Sequence, residues 1–143
     1  KYDFSRLHPS GYLGSQLKTV EDLMFTGNKI PFINENQKMK KALKIITNKK
    51  LGVLIAINKK NLTTGIITDG QVRRVGQKNK NLQNLKVKNV MTKNPIAVKK
   101  EILAAKALTI MNAKKITSLC VNSKKNKTVG IIHIHNILGA NVH

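Results

Sequence analysis

Gly65-Ile66-Ile67-Thr68-Asp69-Gly70 returns as Gly130-Ile131-Ile132-His133-Ile134-His135, 65 positions later, with its first three residues unchanged. The correspondence extends upstream at the same offset. Met39, Ala42, Leu43 and Ile46 return as Ala104, Ala107, Leu108 and Met111, and the apolar run Leu51 to Ala56 returns as Ile116 to Val121. Further back, Asp22-Leu23-Met24 matches Asn89-Val90-Met91, and Ile30-Pro31 matches Asn94-Pro95, with three extra residues in the first copy. A helix face, a buried strand and a strand-to-helix turn recur in one order, so the chain reads as a tandem of units of about 60 residues. Each unit alone buries too little apolar surface to be stable, so the two are expected to pair, with function sought first in the cleft between them.

Local patterning fills in each copy. Lys38 to Asn48 carries apolar residues at helical spacing, with Asn34 or Asn36 as the expected cap. Val53 to Ile57 is a continuous apolar run suited to a strand buried on both faces. A polar turn at Asn58 to Asn61 leads to a second strand, Thr64 to Thr68, and Asp69-Gly70 opens a helix expected to end at Gly76. In the second copy the expected order is a strand near Ile96 to Val98, a helix from about Glu101 to Lys114, strands at Ser118 to Asn122 and Val129 to His133, and a helix from about His135. The fold class is α+β: two β-α-β-β-α repeats with pseudo-two-fold symmetry, helices covering small sheets. The expected boundaries are a connector at 1–19, repeat 1 at 20–78, a linker at 79–86 and repeat 2 at 87–143. The connector, with its turn-rich His8-Pro9-Ser10-Gly11 and a first residue Lys1 in place of Met, is expected to be the exit from a preceding domain.

The 143 residues carry a formal charge of +21, which raises nucleic acid as a partner. The make-up of that charge argues against it. Lysines outnumber arginines 24 to 3, whereas base and phosphate readers favour the guanidinium fork. The lysines are spread over both copies, and no aromatic follows Phe32 to stack a single strand. Apolar runs are far below membrane-spanning length, so no membrane partner is expected. The lone Cys120 sits in an apolar strand and reads as a structural thiol, consistent with a reducing, cytoplasmic setting. His133 and His135 supply two imidazoles without a third ligand nearby in sequence, so no metal site is predicted.

Gly-Ile-Ile-Thr-Asp-Gly closing the first repeat and the Asp-Leu-Met-like opening of each copy resemble a pair of cystathionine-β-synthase (CBS) domains. The flanking His8-Pro9-Ser10-Gly11-Tyr12-Leu13-Gly14, Met24-Phe25-Thr26-Gly27, Thr68-Asp69-Gly70 with Arg73-Arg74, Met91-Thr92 and His133-Ile134-His135 narrow the resemblance. Together they are similar to the C-terminal half of the bacterial arabinose 5-phosphate isomerase family, in which a sugar isomerase domain precedes a CBS pair. Those enzymes interconvert ribulose 5-phosphate and arabinose 5-phosphate for synthesis of Kdo, a sugar of lipopolysaccharide and capsule. The resemblance implies a regulatory, nucleotide-sensing module that is itself non-catalytic, requires no cofactor, and self-associates as a dimer, or as a tetramer in the parent enzyme. It also implies that His8 is catalytic only together with the sugar isomerase domain.

In CBS pairs the base lies against the first strand of a repeat, which implicates Ile30 and Pro31, with Gly52 and Val53 beside them, and Pro95 in the second copy. Phosphates meet hydroxyls and the start of the last helix. Thr68, Asp69, Arg73 and Arg74 hold that place in the first copy, and Thr117, Ser118, His133 and His135 in the second. The family's usual ribose-gripping aspartate, three residues after the Thr, is replaced by Gln71 and Asn136. The regulatory ligand implied is therefore CMP-Kdo, the activated end product, or CMP, ahead of AMP or ATP. The alternatives are a structural dimerisation module that holds no tight ligand, and a basic nucleic-acid-binding module.

Overall fold

A computed structural model describes residues 17–49 and 51–142. The first copy contributes helix α1 (Val20–Leu23), strand β1 (Phe32–Asn34), helix α2 (Met39–Lys49), strands β2 (Val53–Ile57) and β3 (Thr63–Thr68), and helix α3 (Asp69–Lys78). The second contributes α4 (Val87–Val90), β4 (Thr92–Lys93), β5 (Ala97–Val98), α5 (Ala104–Lys114), β6 (Ser118–Lys124), β7 (Lys127–His133) and α6 (Ile134–Leu138). The β-α-β-β-α order expected from the repeat is thus present in both copies.

The chain divides into two compact units, and these units do not follow the repeat. Gly27–Ile96 with Lys124–Thr128 form one, which we call the first-copy unit. Among the described residues, Leu17–Thr26, Ala97–Ser123 and Val129–Val142 form the other, the second-copy unit. Each unit therefore contains the opening segment of the other copy.

In the first-copy unit the sheet order is β1-β2-β3-β4. β1 runs parallel to β2, with Phe32 opposite Ile55, and β2 is antiparallel to β3, with Val53 opposite Thr68. β4 then adds to the free edge of β3, Thr92 opposite Ile66. Met39, Ala42 and Ile46 on one face of α2 are buried against Leu54, Ile67 and Val87. The second-copy unit repeats the scheme, with sheet order β5-β6-β7 and β5 parallel to β6. Here Phe25 takes the part of β4 by bridging to Ile131 on β7. Ala104, Ala107 and Met111 pack with Leu119, Ile132 and Val20. Cys120 is buried on β6, as its apolar setting requires.

The exchanged openings are stitched by matching main-chain bonds. Met39 N–H donates to Leu85 O (2.8 Å) and Val87 N–H to Gln37 O (2.8 Å), joining the starts of α2 and α4. Ala104 N–H donates to Lys18 O (2.8 Å) and Val20 N–H to Ile102 O (2.9 Å), joining the starts of α5 and α1. These bonds satisfy amides that the first turn of a helix leaves without intrahelical partners.

Several boundaries differ from the sequence expectation. α3 runs through Gly76 to Lys78, and Asn79 is its C-cap. Gly76 is not a terminator, because its conformation stays helical and a glycine stops a helix only by leaving it. α5 starts at Ala104, three residues after Glu101, because Lys100 and Ile102 carbonyls accept from Glu21 and Val20 amides outside the helix. Asn34 does not cap α2; its Oδ1 accepts from Asn36 N–H (2.8 Å) in a local turn.

Candidate functional site

His8 and most of the expected connector lie outside the described residues. The remaining candidates fall into two groups, one per unit, apart from Pro95, which lies on the β4–β5 connection within the first-copy unit.

In the first-copy unit, the β3–α3 turn is the organising feature. Thr68 ends β3 and caps α3, its Oγ1 accepting from Gln71 N–H (3.3 Å). That leaves its hydroxyl proton to donate elsewhere. Asp69 N–H donates to Gly52 O (3.0 Å), which closes the turn onto the start of β2. Gly52 holds φ +69°, and a Cβ there would stand 2.8 Å from Asp69 Oδ2, so the carboxylate occupies the room that the glycine leaves. Ile30, Pro31 and Val53 are buried, and Pro31 O accepts from Ile55 N–H (2.8 Å). Arg73 and Arg74 are exposed on α3. Asp69 places a carboxylate in the first turn of α3 and so offsets part of its positive end.

In the second-copy unit the same turn is built from different chemistry. Ile134 N–H donates to Thr117 O (2.8 Å), the counterpart of the Asp69–Gly52 bond. His133 is the cap of α6, with Nδ1 accepting from His135 N–H (3.1 Å). That bond fixes the neutral tautomer, with the proton on Nε2. The His133 and His135 rings stand 4.6 Å apart between centroids. Burial, and secondarily the nearby His135, lowers the pKa of His133 below its ordinary value. Ser118 Oγ is buried and, among the described residues, has no hydrogen-bond partner. Thr117 is exposed beside it. His133 ends β7 and His135 lies in α6, and the capping turn brings the two rings together. Among the described residues no group of three or more His, Cys, Asp or Glu could hold a metal ion.

Gln71 and Asn136, where the resemblance implies aspartates, both make internal bonds. Gln71 Nε2 donates to Val90 O (2.5 Å), closing the end of α4. Asn136 Oδ1 accepts from His133 N–H (2.9 Å), completing a capping box. Sequence reasoning saw the replacement at both positions but not these bonds, since Val90 is 19 residues from Gln71.

The CBS domain family matches residues 20–78 and 87–143. The chain is a CBS-domain pair. It is 38% identical over 141 residues to the arabinose 5-phosphate isomerase KdsD of Yersinia pestis, covering 98% of this chain. With the Escherichia coli K12 enzyme of the same name the identity is 36% over the same share. The chain spans 43% of the length of each. Solved structures share the fold of the CBS pair. CBSX2 in complex with AMP superposes with a TM-score of 0.77 at 21% identity, over 87% of this chain and 96% of that one. A CBS pair in complex with 5-methylthioadenosine and S-adenosyl-L-methionine gives 0.76 at 19% identity, over 86% and 94%. No described helix of the pair is long and apolar enough to cross a membrane.

Proposed function

We propose that this CBS pair is the regulatory, nucleotide-sensing portion of a cytoplasmic arabinose 5-phosphate isomerase that supplies Kdo synthesis. The observation that carries the reading is the identity to isomerases of that name across 98% of the chain. The pair itself contributes no catalysis; His8 acts only with a sugar isomerase domain, and self-association through the pair assembles the enzyme as a dimer or tetramer.

Fold relatives crystallised with AMP and with sulfonium or thioether nucleosides support a nucleotide as the ligand class. CMP-Kdo or CMP is favoured over AMP or ATP, because Gln71 and Asn136 are neither anionic nor free of internal bonds. Thr117, Ser118, His133 and His135 form a hydroxyl and imidazole cluster suited to the phosphate and carboxylate of such a ligand. Thr68, Arg73 and Arg74 offer a second set of donors. The same two internal bonds favour the second reading, a structural dimerisation module.

The test is the isomerase rate of the intact protein with and without CMP-Kdo, CMP, AMP and ATP. A change of roughly fivefold or more with one of them, the low end of ordinary coupling, supports regulation. An unchanged rate with all four, alongside an intact oligomer, leaves the structural module as the function.

A further inference from the structure

We propose that the two candidate sites report to different stretches of chain, and that the second-copy cluster is the one tied directly to the segment leading into the module. The inference rests on reading Thr117, Ser118, His133 and His135 as a ligand site. It adds which site is sensed, and by which segment.

Leu17–Thr26 precedes the first copy in sequence yet belongs to the second-copy unit. Its ties are to β7, which carries His133, and to the turn before α5. Phe25 N–H donates to Ile131 O (2.9 Å) and Ile131 N–H to Phe25 O (3.1 Å), on the strand that ends at His133. Met24 covers Gly130 on the same strand. Val20 and Glu21 amides bond to Ile102 and Lys100, and Glu21 pairs with Lys100 at 3.3 Å. A ligand held by Ser118 and the two imidazoles that shifts β7 therefore acts on Phe25 and Met24, which contact that strand.

The first-copy cluster has the corresponding ties to a different stretch. Gln71 bonds to Val90, Met91 covers Gly65, and Thr92 and Lys93 pair with Ile66 and Gly65 on the strand that ends at Thr68. A ligand at Thr68 and Arg73 therefore biases 87–93, the segment between the copies. Coupling needs an element that both sites share, and β7 supplies it for the leading segment.

Amide hydrogen exchange on the intact protein tests this, with CMP as probe and its binding measured separately by calorimetry. In the unliganded protein, His133→Ala, which removes the cap of α6, is expected to speed exchange in 17–26 by roughly fivefold or more and leave 87–93 unchanged; Thr68→Ala, which removes the cap of α3, does the reverse. Saturating CMP is expected to slow exchange in 17–26, and Ser118→Val to abolish that slowing. If CMP binds and 17–26 does not respond, or the variants loosen both segments equally, the wiring is wrong while ligand binding stands. If calorimetry detects no binding, the ligand reading fails, and the unliganded variants alone decide the wiring by the same criterion.

Discussion

Met24 lies across Gly130: a Cβ at that glycine would collide with Met24 Sδ and stand 3.1 Å from the carbonyl oxygen of Phe25. Met91 lies across Gly65 in the same manner, with Thr92 O 2.9 Å from the Cβ position. The recurring Gly-Ile-Ile and the recurring opening methionine are thus two halves of one contact, made with the copies exchanged. Gly130→Ala and Gly65→Ala should each destabilise the protein by about 1–3 kcal/mol, because backbone as well as sulfur must give way. Gly76→Ala, inside α3 with only Leu82 Cδ2 at 3.6 Å, should stabilise by about 0.5–1 kcal/mol. Urea unfolding of the three variants checks the ranking, and an equal effect at all three would break it.

Thr63 and Thr128, equivalent positions of the two copies, share a hydrogen bond between their buried hydroxyls at 2.5 Å. Thr63→Val and Thr128→Val should each cost about 1–3 kcal/mol, since each removes the hydroxyl that the other's buried hydroxyl bonds to. The double variant should cost less than the sum, with a coupling of about 0.5–1.5 kcal/mol in a double-mutant cycle. Strict additivity would mean the bond contributes nothing.

What the sequence made legible and what it hid follow from the range of the interactions. The helix faces of α2 and α5 and the runs of β2 and β6 carry local periodicity, so Met39, Ala42, Ala107 and Leu119 could be placed in cores from the sequence. The repeat also located both β–α turns, with Thr68 and His133 as their last strand residues. The exchange of opening segments left no such trace. Its evidence is the pairing of Phe25 with Ile131, 106 positions apart, and nothing in either residue's neighbours encodes that distance. The late start of α5 has the same origin, because its preceding turn is held by Val20 and Glu21. Ser118 was singled out as a hydroxyl, but only packing shows that its Oγ is buried without a partner.

Gln71 donates to Val90 O, so a carboxylate of the same shape would face a carbonyl oxygen with no proton to give. Gln71→Glu should therefore lower stability by about 1–3 kcal/mol at neutral pH and recover part of it below the ordinary Glu pKa, where the side chain can donate. Thermal unfolding at pH 7 and pH 4, each relative to wild type, measures this. A deficit that does not shrink at pH 4 would contradict the bond.

His133 has a pKa below 6.5 in the folded chain because burial, then His135, disfavours its charged form. Above the unfolded pKa, about 6.5, both states are neutral there and the group adds no pH dependence. As pH falls below that value the unfolded chain takes up the proton first, so stability falls until the folded pKa is passed. His133→Asn, which can still cap α6, should flatten that slope. An unchanged slope between pH 6.5 and 5 would assign it to other groups.

The claim that this CBS pair holds a nucleotide is tested most directly by thermal unfolding of the protein with CMP-Kdo, CMP, AMP and ATP. At a concentration 100 times its dissociation constant, a ligand bound only by the folded state adds about 2.7 kcal/mol of stability. The account predicts a rise in Tm with CMP-Kdo or CMP that exceeds the rise with AMP or ATP and is lost in Ser118→Val. An unfolding temperature that none of the four moves, up to millimolar concentrations, would contradict it.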